Sequence, residues 1–192
     1  VAHADHESRP ITEHLQASPK LRWLLERLAH IQSAGEKAIV FTEFRDIQRI
    51  VQKSVAQRFG YHAQVINGST EVRAGSDTSR QRLIDRFQQA PGFGVIILST
   101  TAVGFGVNIQ AANHVIHFTR PWNPAKEDQA TDRAYRIGQV RDVYVDCPTV
   151  VGRGFESFEE RLATLLTTKR QLSSDMLAGT QEVTASEFAS LV

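Results

Sequence analysis

Gln129, Arg133 and Arg136 stand four and then three residues apart. On a helix that spacing sets their side chains along one face. A glutamine and two arginines aligned in this way make a cationic, hydrogen-bonding ridge suited to a polyphosphate. Arginine is the appropriate cation, because its planar fork takes two phosphate oxygens and keeps its charge. The plainer reading is a solvated face in which Asp132 pairs with a neighbouring arginine. A second stretch carries hydroxyls at Ser99, Thr100 and Thr101, then Gly104, Gly106 and Asn108. Two glycines a residue apart allow close backbone approach, and the polar side chains can bind phosphate or ribose oxygens. Such a connection can equally serve only to turn the chain. A third stretch, Ile66-Asn-Gly-Ser69-Thr70, comes before Arg80 and a helical pattern. Its hydroxyls and amides suit a nucleic-acid phosphate, or a bare turn.

These stretches need elements to hold them. Ser18-Pro19 reads as an N-cap followed by Pro at the first helical position, and Leu21, Leu24, Leu25, Leu28 and Ile31 continue at helical spacing until Gly35. Residues 37–42 form a short, β-branched apolar run, as expected of a buried parallel strand. A helix carrying Ile47, Ile50, Val51, Val55 and Phe59 follows, then a strand over 62–66 and a turn over 67–70. The pattern predicts a helix over 77–89, strands over 94–99 and 114–118, a helix over 124–136 and a last strand over 142–146. Strands alternating with helices imply βαβ units and a mostly parallel sheet covered on both faces. From Phe155 to about Leu177 a further helical pattern reads as a C-terminal brace.

Composition narrows the class. An apolar share of 41% and a charged share of 22% over 192 residues fit one globular domain with a small appendage. No apolar run approaches the roughly 18 residues of a membrane span, and the start resembles no signal peptide. The absence of an initiator Met suggests a fragment or processed chain. A single cysteine, Cys147, excludes an internal disulfide and makes an intracellular setting the default. A net charge of +1 argues against a basic DNA clamp, though not against phosphate contacts through backbone amides.

In order, the chain carries Ala38-Ile-Val-Phe-Thr-Glu-Phe44, Ile66 to Thr70, Leu98 to Ala102 with Gly104, Gly106 and Asn108, Trp122-Asn123-Pro124, and Gln129 to Gln139. This series resembles motifs IV to VI of superfamily-two helicases in the version used by Swi/Snf-type ATPases, bacterial members included. Asp132-Arg-Ala-Tyr-Arg-Ile-Gly-Gln139 is the most specific part. The resemblance implies an α/β, RecA-like second motor lobe of a double-stranded-DNA translocase. It implies Arg133 and Arg136 as arginine fingers reaching ATP, and Gln129, Gly104, Gly106 and Asn108 near the nucleotide. It also implies Ser69, Thr70, Ser99 and Thr100 on the phosphates of the tracked strand, with Trp122 and Asn123 coupling DNA to the ATP site. Some positions depart from the family: Thr101 replaces a common Lys, Val103 a common Gly and Tyr135 the usual His, and Asp146-Cys147-Pro148-Thr149 an ending usual after motif VI. The missing Lys puts one phosphate contact in question.

No Gly-x-x-x-x-Gly-Lys-Ser/Thr and no Asp-Glu-x-His occurs. The phosphate cradle and the Mg2+-binding carboxylates are therefore expected on an earlier, N-terminal RecA-like lobe of the same protein, so that ATP with Mg2+ is bound mainly there. Residues 1–17 read as a linker or arm, 18–150 as the lobe and 151–192 as a C-terminal helical extension. The expected setting is the bacterial cytoplasm with the nucleoid, or the nucleus in a eukaryote, with no membrane partner and no metal site in this lobe. The alternative function is a non-catalytic DNA- or protein-binding module that kept the lobe fold. A Rossmann-like binder would need a Gly-rich first turn and an acidic ribose ligand, both missing.

Overall fold

The chain divides into two compact units, Val1–Val150 and Val151–Val192. The structure, a computed structural model, describes residues 10–70, 79–103, 108–134 and 139–178.

In the first unit the described elements are α1 (Ile11–Ala17), α2 (Pro19–Ser33), β1 (Lys37–Phe41), α3 (Arg45–Phe59), β2 (Gln64–Ile66) and α4 (Arg80–Gln89). There follow β3 (Gly94–Leu98), α5 (Thr100–Val103), β4 (His114–His117), α6 (Pro124–Thr131) and β5 (Tyr144–Asp146). The strands form one sheet in the order β2-β3-β1-β4-β5, with every pairing parallel. β1 lies in the middle, its Phe41 in register with Leu98 of β3 and His117 of β4.

Alternation along β1 feeds two cores. Ile39 and Phe41 pack with Ile84, Phe87 and Ala130 on one face, whereas Ala38 and Val40 pack with Leu24, Leu28, Val51 and Val55 on the other. Both faces are therefore helix-covered, which is why β1 after Lys37 and all of β3 are apolar and buried rather than alternating. Each fully buried Ile, Val or Leu contributes roughly 1.5–3 kcal/mol.

Local chemistry sets the element ends. Ser18 Oγ accepts the Leu21 N–H at 3.2 Å with Pro19 opening α2, as its sequence predicts. Gly35 takes the left-handed conformation, φ 66°, that ends the turn after α2. Lys37 is buried, and its Nζ donates to the carbonyls of Phe87, Gln88 and Ala90 at 2.9, 3.0 and 2.5 Å. It thus closes the C-terminal end of α4, where free carbonyls and the helix dipole favour a cation.

Several elements differ from the sequence expectation, among them the strand expected over 142–146, which begins at Tyr144, and the helix expected from Phe155, which begins at Phe158. Residues 11–17, expected within a linker or arm, are helical: Leu15 packs against the α2–α3 core, and Arg22 Nη1 donates to the carbonyls of Leu15 and Gln16. Seven residues are too few to show a period, so tertiary contacts, not pattern, make this helix. The helix expected over 124–136 stops at Thr131. The Arg133 and Ala134 N–H groups then bond three residues back, to Ala130 and Thr131, while the Arg133 carbonyl accepts from Ile109 N–H at 2.9 Å. The strand expected over 62–66 begins only at Gln64.

In the second unit α7 spans Phe158–Ala178. Its start is a capping box: Glu160 N–H donates to Ser157 Oγ, and Glu160 Oε2 accepts from the Ser157 and Gly152 amides. These bonds hold the Glu160 carboxyl below its ordinary value, the Ser157 amide foremost. A Cβ on Gly152 would lie 2.2 Å from the Phe155 carbonyl oxygen, so only glycine fits that turn.

Candidate functional site

The chain leaves β2, β3, β1 and β4 through loops that lie side by side, in sheet order, at the carboxyl edge. Ligands of open α/β sheets gather at this edge. After β2, Asn67 organises a tight turn: its Oδ1 accepts from Ser69 N–H and Ser69 Oγ, and its own N–H donates to Thr70 Oγ1. Ser69 is exposed and Thr70 half-buried. Asn67 Nδ2 also donates to Gln48, whose Nε2 donates to the Thr42 carbonyl, tying this turn to the end of β1.

After β3, Ser99 and Thr100 are buried. Ser99 N–H donates to the Ile66 carbonyl at the end of β2, and Ser99 Oγ accepts from Ala102 N–H. Thr100 N–H and Thr100 Oγ1 both donate to Glu43 Oε1 at 2.5 Å, and Thr101 Oγ1 donates to Glu43 Oε2 at 3.4 Å. Arg80 Nη1 donates to the Ala102 carbonyl, fixing the far end of α5. Glu43 therefore joins the edge of β1 to that of β3. Its backbone N–H donates to Thr119 Oγ1 at 3.2 Å, which reaches the edge of β4.

Beyond β4, Arg120 and Glu127 form a bidentate pair at 2.7 and 2.8 Å, with side chains 14% and 5% exposed. This pair closes the loop that carries Trp122, which is 62% exposed, and Asn123, whose Oδ1 accepts from Ala125 N–H to cap α6. Exposed Phe44 stands at the neighbouring edge of β1. The structure thus brings Ser69, Thr70, Ser99, Thr100, Trp122 and Asn123 to one edge.

Asn108 and Arg133 lie on adjoining segments, with Arg133 bonded through its carbonyl to the residue after Asn108. Gln139 Nε2 donates to the carbonyls of Gln110 and Ala112, holding the two segments together. Arg133 is 7% exposed, and its Nε has no hydrogen-bond partner among the described residues; the same holds for Asn108 Oδ1. Gln129 is exposed. The shared helix face expected for Gln129 and Arg133 is therefore absent, because α6 ends before Arg133. The open Arg133 donor suits an anionic group such as a phosphate, whereas the open Asn108 acceptor suits a donor such as a hydroxyl. Gly104, Gly106 and Arg136 lie outside the described residues.

Sequence reasoning missed Glu43, Arg120 with Glu127, and a cluster before β1 and β4. There His114 Nε2 lies 2.5 Å from Glu36 Oε2, Asn113 Nδ2 donates to Glu36 Oε1, and Tyr144 stacks on His114. The His114 bond, above all, holds the Glu36 carboxyl below its ordinary value. The available signal was an ionisable residue at the very end of an apolar strand.

Residues 19–138 match the helicase conserved C-terminal domain family. The chain is 57% identical over 176 residues to the Zorya protein ZorD of Escherichia coli O139:H28 (strain E24377A / ETEC), covering 91% of this chain and 16% of that protein. It is 37% identical over 167 residues to the putative ATP-dependent helicase/translocase YwqA of Bacillus subtilis (strain 168), covering 87% and 17%. Among solved structures, the C-terminal part of the Fun30 ATPase domain matches with a TM-score of 0.68 at 34% identity, over 78% of this chain and 45% of that one. The Sulfolobus solfataricus SWI2/SNF2 ATPase core domain matches with a TM-score of 0.65 at 31% identity, over 92% and 35%. The chain spans about a sixth of the length of these curated relatives.

Proposed function

This chain belongs to the helicase conserved C-terminal domain family, in its Swi/Snf branch, and from that premise we propose that it is the second motor lobe of an ATP-driven double-stranded-DNA translocase. The observation that carries this reading is Arg133, a buried guanidinium whose Nε has no partner among the described residues. Burying an unpaired charge is unfavourable, and a polyphosphate would supply the missing counter-charge.

In this reading Arg133 and Arg136 act as arginine fingers, stabilising charge on the transferred phosphoryl group's equatorial oxygens. Such a finger is worth on the order of 10³ to 10⁵ in rate. Asn108, Gln129, Gly104 and Gly106 line the nucleotide side. The phosphate cradle and the carboxylates for Mg2+ belong to a first RecA-like lobe of the same protein, which supplies most of the binding of ATP with Mg2+. Ser69, Thr70, Ser99 and Thr100 meet the phosphates of one DNA strand, a contact that reads no sequence. Trp122 and Asn123, held out by the Arg120–Glu127 pair, pass DNA engagement to the arginines.

In the two-lobed protein, Arg133→Ala and Arg136→Ala are each expected to lower DNA-stimulated ATP turnover at least about a hundredfold, with ATP and DNA affinity within a few-fold. Arginine-to-lysine exchange does not rescue, because a point charge lacks the fork. Steady-state phosphate release measured beside thermal unfolding decides it. Turnover that survives, or that falls only in step with unfolding, removes the catalytic role.

A further inference from the structure

We propose that Glu43 is a charge gate on the DNA contact of Thr100, an inference that rests on the reading of Thr100 as a phosphate-contacting residue. One carboxylate oxygen takes both the Thr100 amide and the Thr100 hydroxyl, and the other takes the Thr101 hydroxyl. A backbone phosphate would need these same donors. Carboxylate and phosphate are both acceptor-only anions, so the two compete for one donor set. Were the carboxylate to stay, a phosphate would have to settle beside a like charge.

The geometry lets the carboxylate leave without disturbing the fold. The Glu43 backbone is pinned by its N–H to Thr119 Oγ1, and Thr119 Oγ1 in turn donates to Thr42 Oγ1. Only the side chain has to swing, and Glu43 is half-exposed, so water receives it. Without DNA the carboxylate keeps Thr100 and Thr101 satisfied. With DNA it is displaced, and the binding free energy is reduced by the exchange. Glu43 is thus a residue that tunes affinity downward, which suits a protein that must release each phosphate as it steps.

The test uses the full-length two-lobed protein, a fluorescently labelled duplex and a salt series, with Glu43→Gln, Glu43→Asp, Thr100→Val and the Glu43→Gln/Thr100→Val double variant. Glutamine keeps an acceptor for Thr100 and removes the charge, at the cost of the oxygen that Thr101 uses. Glu43→Gln is expected to bind the duplex about three- to tenfold more tightly at low salt, with the gap closing as salt rises. Glu43→Asp, which keeps the charge, should bind no more tightly than the parent. Thr100→Val should bind several-fold more weakly, and in the double variant the gain from Glu43→Gln should shrink. Thermal unfolding of each variant accompanies the titration. If Thr100→Val weakens binding while Glu43→Gln matches or falls below the parent, the gate is wrong and the DNA contact stands. Tighter binding by Glu43→Asp, or a gain that ignores salt, likewise overturns the charge explanation. If Thr100→Val binds like the parent, the DNA contact itself is wrong, and the gate falls with it.

Discussion

Lys37 and Arg133 are buried to the same degree, 6% and 7% exposed, yet the surroundings treat the two cations in opposite ways. Lys37 gives its ammonium to the carbonyls of Phe87, Gln88 and Ala90 and lies 5.4 Å over the Phe87 ring. Arg133 keeps a buried Nε that bonds to nothing among the described residues, and no ion pair joins it there. Burial alone therefore does not say whether a cation is bonded. The state of the donors does: a satisfied cation fastens the fold, whereas an open one leaves the fold less stable.

The largest effect that tests this contrast is Arg133→Met. Turnover of the two-lobed protein should fall at least about a hundredfold, while the lobe's thermal midpoint holds or rises, since an unpaired charge has been removed. A midpoint that drops with turnover would mean that Arg133 is bonded after all, as Lys37 is. The mirror-image variant is Lys37→Met. It should cost on the order of 2–3 kcal/mol in urea unfolding, because carbonyls near the end of α4 lose a charged donor, and it should leave turnover of the folded protein unchanged.

Glu36 sharpens the contrast through pH. Its carboxyl is held below its ordinary value of 4.5 chiefly by the His114 bond, with Asn113 and Arg141 adding to it against the opposing effect of burial. The sign follows from a depressed folded-state value: the contribution is complete above the unfolded value and is lost as pH falls through the folded one. Stability should therefore decline below about pH 4.5, and Glu36→Gln should flatten that decline in an acid-unfolding series. An unchanged acid limb would show that the pair contributes nothing.

Asn123 tests the contrast where it is least clear, since it is satisfied as a cap and also assigned to coupling. Asn123→Ala should cost about 1 kcal/mol, and Asn123→Ser should recover nearly all of it. If serine restores DNA-stimulated turnover as fully as it restores stability, Asn123 is a cap and nothing more. The expected outcome is recovered stability with stimulation still lowered.

The long elements were legible because their patterns are physical necessities. Leu21 to Ile31 can bury one face only as a helix, and residues 38–41 are apolar because both faces of the sheet are covered. What escaped depends on distant partners. α1 is held by Leu15 and Arg22, and α6 is cut short where Ile109 claims the Arg133 carbonyl, two facts that no local window contains. The site divided in the same way. Residue types pointed to Arg133 and Asn108, whose open donor and acceptor the structure shows. Nothing in the spacing of Glu43, Thr100 and Thr119 indicates that they meet, because parallel strands bring together loops far apart in sequence.

The strand order has a consequence for how the chain is made. β1 is central, yet Lys37 must wait for Gly94, and Ala38 for His114, before either edge of the strand is paired. At roughly 5–20 residues per second, synthesis leaves Ala38-Ile-Val-Phe41 without its sheet for several seconds. During that interval the apolar stretch Ala38–Phe41 presents two open edges, the condition under which nascent chains stick to one another. The helices on either side of β1, α2 and α3, are complete by then and already carry Leu24, Leu28, Val51 and Val55 for one of its faces. Early docking of this helix–strand–helix segment would shield one face of the growing chain, leaving the other to wait for Ile84 and Phe87.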